Sequence, residues 1–226
     1  MKKKLDIQTV LLVLAIIFGV SLIAYPTVGN YINTKKQAKI IQEYNDSISG
    51  VDYTEQWEAA VNYNKSLLTR KNRFKLTDEQ REEYPNLLNI SGTGIMGYIE
   101  IPKLGISVPI YHGTDEAVLA NAVGHIDWTS LPIGGESCHS VLSAHRGLAG
   151  SELFTDLDQL EIGDTFTITV LDKEINYVVD QILVVKPQEV TELQIIDGED
   201  HCTLVTCTPY GVNSHRLLVR GTREVV

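Results

Sequence analysis

Nucleophilic chemistry in this chain would fall to two residue types, three cysteines and six histidines. An odd cysteine count rules out a complete disulfide framework and leaves at least one thiol unpaired within the chain. Cys207 ends the β-branched, apolar run Thr203-Leu204-Val205-Thr206-Cys207. A Pro/Gly/Asn turn follows, and a second run returns through Arg216. Strand–turn–strand geometry then places Cys207 beside Arg216. The guanidinium favours the thiolate, the form that attacks a carbonyl. Taken alone, a cysteine at a strand end is more often a small buried hydrophobe. A nucleophile also needs a proton donor and acceptor. His145 follows the apolar run Ser140–Ala144, so it too should stand at a strand end with its ring outside the core, where a lone histidine is ordinarily a turn residue. His201 and Cys202 invite a metal reading with Cys207. Positions 202 and 207 differ by an odd number, however, and face opposite sides of a regular strand. The same parity opposes a Cys202–Cys207 disulfide. The chain has no C-x-x-C or H-E-x-x-H pattern, and no metal or cofactor is expected.

The elements that would position these groups are mostly strands. From Ile95 the pattern becomes β, with runs at Ile95–Ile101, Ile106–Tyr111, Ser140–Ala144, Thr165–Leu171, Asn176–Val185, Cys202–Cys207 and His215–Arg220. Turn residues separate them, and helical stretches such as Glu152–Leu160 are brief. This predicts a mainly β fold, a small closed barrel over residues 93–226.

Upstream, Ile7 to Tyr25 carries no charge, with Lys2, Lys3 and Lys4 before it and Pro26 after it. Nineteen helical residues span about 29 Å, close to the hydrocarbon thickness of a bilayer. A cleaved signal peptide is the competing reading, but Ala24-Tyr25-Pro26 is a poor cleavage site. Residues 1–30 therefore read as a basic cytoplasmic tip and transmembrane helix. The remainder would be exported, although Lys35, Lys36 and Lys39 on the far side oppose that orientation. Residues 31–92 read as a helical accessory segment. Its parts are a polar continuation to Ser49-Gly50, a helix opened by Asp52 and Glu55 with an apolar stripe from Tyr53 to Leu68, and a charged stretch with a capping pattern at Thr77 and Gln80. The net charge of −10 argues against nucleic-acid binding.

Thr203-Leu204-Val205-Thr206-Cys207 resembles the TLxTC signature of sortases, the membrane-anchored cysteine transpeptidases of Gram-positive bacteria. Ser143-Ala144-His145-Arg146-Gly147 is similar to their catalytic-histidine segment, and Arg216 falls at their essential arginine. Gly97-Tyr98-Ile99-Glu100-Ile101-Pro102, Pro109–Thr114, Thr129–Gly135 and Leu153–Leu157 resemble the class C, pilus-building branch. The resemblance implies an eight-stranded sortase barrel with Cys207 as nucleophile, His145 as general acid/base and Arg216 as oxyanion or substrate stabiliser. The two motifs also supply Thr206, Thr203, Ser143 and Ala144 as candidates for substrate binding.

The implied reaction cleaves an LPxTG-like motif between Thr and Gly through a thioacyl enzyme and passes the acyl group to an amine. The expected partners are LPxTG-type surface or pilin proteins, an amine acceptor that is a pilin lysine or a cell-wall precursor, and the lipid bilayer. The alternatives are a housekeeping sortase, a cysteine peptidase using water, and a non-catalytic binding module. Two features depart from class C. Residues 31–92 lack the Asp-Pro-aromatic lid triplet, leaving Phe74 or Tyr84 as candidate plugs from the 70–84 segment, and Val226 is reached without a second apolar span. The acidic stretch Lys186–Asp200 is the expected groove wall, open either to a basic partner or to solvent.

Overall fold

The computed structural model describes residues 7–72, 74–147 and 150–224. Eight strands close into a barrel in the order β1-β2-β3-β4-β7-β8-β6-β5. They are β1 (Ile95–Ile101), β2 (Ile106–His112), β3 (Val123–His125), β4 (Cys138–Ser143), β5 (Thr165–Val170), β6 (Lys173–Val185), β7 (Asp200–Thr208) and β8 (His215–Arg223). Two pairs, β2 with β3 and β4 with β7, are parallel. Closure leaves no free edge for a second chain to add a strand.

The period of two along each strand sorts side chains to the inside and outside. Leu142 and Ala144 on the β4 path, Cys202 and Leu204 on β7, and Leu217 and Val219 on β8 enter the main core. Their neighbours Val141, Val205 and Leu218 face outward and form a second apolar cluster with Leu193.

The sequence expectation of seven strands lacks β3, and the helical stretch over Glu152–Leu160 contracts to a single 3-10 turn at Leu157–Gln159. The N-terminal helix α1 runs unbroken from Ile7 to Ile48, through Pro26. Pro26 removes one backbone donor, but the long apolar and polar flanks carry the helix across it. Beyond residue 30, α1 is a strut on the barrel. Gln37 donates to the Asn121 carbonyl at 3.1 Å, and the Tyr44 hydroxyl donates to Met96 O at 2.9 Å and accepts from Leu171 N at 2.8 Å.

Helix α2 (Thr54–Leu68) turns Ala60, Tyr63, Asn64 and Leu67 inward. Burying a side chain the size of Leu67 is worth about 1.5–3 kcal/mol. Asn64 adds specificity, since its side chain accepts from Leu131 N at 2.7 Å and donates to Leu131 O at 3.1 Å. The capping box expected at Asp52 and Glu55 does not form; Asp52 accepts from Thr54 N instead. The box at Thr77 and Gln80 does form, opening α3 (Asp78–Glu83). The short helix α4 (Glu116–Leu119) lies between β2 and β3.

Candidate active site

Three strand ends meet at one corner of the barrel. On the antiparallel β7–β8 pair, Cys207 stands directly opposite Arg216. On the parallel β4–β7 pair the last matched residues are Ser143 and Val205. Ala144 N then donates to Val205 O at 3.2 Å, and Thr206 Oγ1 donates to Ala144 O at 2.8 Å. Carrying this register two residues on brings His145 alongside Cys207. All three residues are partly exposed. Cys207 shares the outward face of β7 with Val205, so the three sit where the outer apolar cluster meets the end of the barrel.

The rest of the cysteine and histidine inventory is chemically quiet. Burial pushes the Cys138 thiol up to about 11, and the wholly buried Cys202 thiol goes higher still. Cys207 is the one cysteine of the three that is not buried. Burial holds His125 down to about 3 and His139 to about 4, and it also lowers His112 and His201. The rings of His112, His125 and His139 serve as neutral hydrogen-bonding parts of the fold, and His201 Nε2 stands 3.1 Å from Glu199. His215 pairs with Thr208 and, one residue from Arg216, faces the opposite side of β8.

The segment carrying His145 is fastened by Arg146, whose role the sequence did not disclose. Its guanidinium donates to Thr155 O at 3.1 Å and to Thr208 Oγ1 at 3.0 Å, and it pairs with Asp158. One side chain thereby ties the residue after His145 to the residue after Cys207. Gly147 N donates to Thr155 Oγ1 and Phe154 N to His145 O, which completes the clamp. Gly147 has φ +75°, and a Cβ there would lie 2.5 Å from the Tyr210 ring, so the β7–β8 turn packs directly on the histidine segment. Glu116 of α4 stands 3.7 Å from His145 Nε2. Arg216 donates to the carbonyls of Asn213 and His215, and among the described residues no carboxylate pairs with it.

The remaining sequence candidates divide by face. Ser143 is outward and partly exposed. Thr203 is outward but buried, accepting or donating with His139 Nε2 at 2.7 Å. Thr206 and Ala144 turn into the barrel, at 1% and 3% exposure, so any contact they make with a substrate is through backbone atoms. The reason is parity, since each is one residue removed from an outward-facing position.

An apolar cluster borders the cysteine. Val141, Val205 and Leu218 of the outer barrel face are buried beneath Leu193 and Val190 of the β6–β7 segment. The acids of that segment fasten it in place. Glu189 accepts from Lys186 N, Asp197 from Ser137, and Asp200 from Gly135 N and Tyr177. The candidate plugs separate: Tyr84 is buried in the main core, hydrogen-bonded to His125 and Gly113 N. Phe74 rests edge-on against Trp128, with ring centroids 5.3 Å apart, and Trp128 packs against the outer apolar cluster.

A family model described as "Sortase domain" matches residues 99–224. Sortase C1 of Streptococcus agalactiae superposes with a TM-score of 0.80 at 49% identity, covering 83% of this chain and 99% of that one. Sortase C of Streptococcus pneumoniae gives 0.75 at 41%, covering 83% and 97%. Sortase C of Clostridium perfringens, solved with a C-terminal cell wall sorting motif, gives 0.73 at 42%, covering 84% and 100%. Among curated sequences, sortase A of Bacillus anthracis is 23% identical over 96% of this chain and 95% of its own length. This chain belongs to the sortase family of cysteine transpeptidases and is most like the class C enzymes.

Proposed function

We propose that this protein is a membrane-anchored transpeptidase that cleaves an LPxTG-like motif between Thr and Gly and transfers the acyl group to an amine, a pilin lysine. The observation that carries this reading is the convergence of Cys207, His145 and Arg216 on three adjacent strand ends, beside the outer apolar cluster of the barrel. The Cys207 thiolate attacks the threonine carbonyl, and Arg216 stabilises the oxyanion that forms. The C–N bond to glycine breaks, its electron pair stays on nitrogen, and His145 as imidazolium protonates the departing amine. The acceptor amine then attacks the thioester and gives its proton to His145, and the C–S bond breaks to restore the thiolate.

The amine acceptor is assigned from the class C likeness; the Streptococcus pneumoniae structure is described in terms of pilin substrate specificity. The anchor is α1, which has the length and apolar composition to cross a membrane and whose apolar stretch lies unburied against the domain. The three lysines before it favour a cytoplasmic N-terminus and an exported catalytic domain, against the opposing pull of Lys35, Lys36 and Lys39.

Cys207→Ala should abolish cleavage of an LPxTG peptide, and intact-protein mass spectrometry of the native enzyme should show the acyl adduct on Cys207. Substantial cleavage by Cys207→Ala would refute the assignment. Lysine-bearing and glycine-bearing acceptor peptides separate a pilin-type from a wall-precursor acceptor. Product unchanged by any amine would identify a hydrolase.

A further inference from the structure

The contacts along α1 order the catalytic domain by height above the apolar stretch, and the active-site segment comes lowest. Gly29 meets Gly150 so closely that a Cβ on Gly29 would lie 2.8 Å from the Gly150 Cα. One turn higher, Asn33 donates to Ser151 Oγ at 2.7 Å. Then Gln37 reaches Asn121, and Tyr44 reaches Met96 and Leu171. At about 1.5 Å per residue these contacts stand roughly 6, 12, 18 and 28 Å beyond Tyr25. The headgroup layer outside the hydrocarbon is roughly 5–8 Å thick on each side. Gly150, five residues after His145, is thus level with lipid headgroups.

The same corner carries exposed apolar surface that the fold does not use. Tyr210 and Val212, in the turn between Cys207 and Arg216, are 61% and 68% exposed. Tyr210 packs on Gly147, three residues from Gly150. Tyr25 and Tyr31 of α1 are exposed at the same level. Tyrosine is favoured at the membrane–water boundary, where its ring is held among headgroups and its hydroxyl stays wet.

We infer that the Tyr210–Val212 turn rests in the headgroup layer of the bilayer, so that the catalytic corner of the barrel faces the membrane. This rests on the reading of α1 as a transmembrane anchor. The contact is apolar, because the exposed side chains of the turn itself, Tyr210 and Val212, carry no charge. Its partner is therefore the lipid interface itself, whatever the headgroup charge.

The test uses the full chain in phosphatidylcholine vesicles whose acyl chains are brominated near the headgroup. Val212→Trp adds a fluorophore at the turn, and Val51→Trp adds one beyond the far end of α1, whose last residue Ile48 is about 35 Å from Tyr25 along the helix; the emission of the native Trp57 and Trp128, read from the unsubstituted chain, is subtracted from each. Both sites are exposed, and turnover of a soluble LPxTG peptide reports that each variant is folded. The tryptophan added at position 212 should lose about half or more of its emission in brominated relative to plain vesicles, and the one at position 51 should lose little. Equal quenching at the two positions overturns the proposal. Failure of the native chain to float with vesicles overturns the anchor reading and the proposal with it. Flotation without selective quenching at position 212 leaves the anchor standing and removes the docked turn alone.

Discussion

Replacing Arg146 with Met keeps much of the buried aliphatic volume while removing the guanidinium that joins the histidine segment to the end of β7. Its side chain is only 9% exposed, and two of its partners are Thr155 O and Thr208 Oγ1. Hydrogen bonds from a charged donor contribute about 1.5–3 kcal/mol each, with incomplete additivity, so the pair is worth about 2–4 kcal/mol. Asp158 is half exposed, and its ion pair adds about 1 kcal/mol at most. For a chain of this size the melting temperature should fall by about 5–15 °C. The larger effect should be on turnover. A displacement of His145 by about 1 Å relative to Cys207 costs on the order of 100-fold. Arg146 commits its guanidinium to Thr155, Thr208 and Asp158 and leaves none of it for substrate, so the loss should appear in kcat with KM nearly unchanged. Arg146→Lys keeps the charge but loses the planar fork that serves three partners, so it should recover part of the stability and little of the turnover. The assay is steady-state cleavage of a fluorogenic LPxTG peptide beside thermal melting. A melting temperature lowered as expected with kcat within twofold of the native enzyme would refute a positioning role.

Two further predictions concern the scaffold. Asn64→Ala leaves the Leu131 N–H and carbonyl without partners, which should cost about 2–4 kcal/mol in urea unfolding; a loss below 1 kcal/mol would mean α2 is not structurally bound to the barrel. Burial holds His125 at about 3 and His139 at about 4, below the usual 6.5, so their contribution to stability is full above pH 6.5 and is lost as pH falls. At pH 5 each should have cost about 2 kcal/mol, visible as a drop in the urea midpoint, and a midpoint unchanged from pH 7.5 to 5 would contradict their burial as neutral rings.

What could be read in the sequence and what could not follow from the range of the forces involved. The strand pattern around Cys207 and Arg216 is local, one strand, one turn and a return, so their adjacency was legible before any fold was known. The separation of Cys202 from Cys207 was equally legible, because parity along a strand is a local property. Strand β3 was hidden because three residues cannot display an alternation. The helix expected at Glu152–Leu160 shrank because Phe154, Leu157 and Leu160 are all drawn into the core, which fixes that stretch as a buried turn. The Asp52–Glu55 pattern and the Thr77–Gln80 pattern look alike in sequence, yet only the second forms a box, since Asp52 is satisfied by Thr54 first. Arg146 and Glu116 were invisible as parts of the site because Thr155, Asp158, Thr208 and His145 reach them only through tertiary contacts. The inward turn of Thr206 and Ala144 was available from parity alone once Cys207 was placed outward.

The distribution of sulfur in the barrel also sets how the protein meets an oxidant. Cys202 lies five residues along β7 from Cys207, about 16 Å of extended chain, on the opposite face. Cys138 lies on β4 opposite Asp200, farther still from Cys207 along the paired strands. A disulfide needs Cα atoms roughly 4.4–6.8 Å apart, so neither buried thiol can reach Cys207 without unfolding the sheet. A sulfenic acid formed at Cys207 consequently has no resolving thiol in its own chain. It must be rescued by a thiol from solution or proceed to the irreversible sulfinic state.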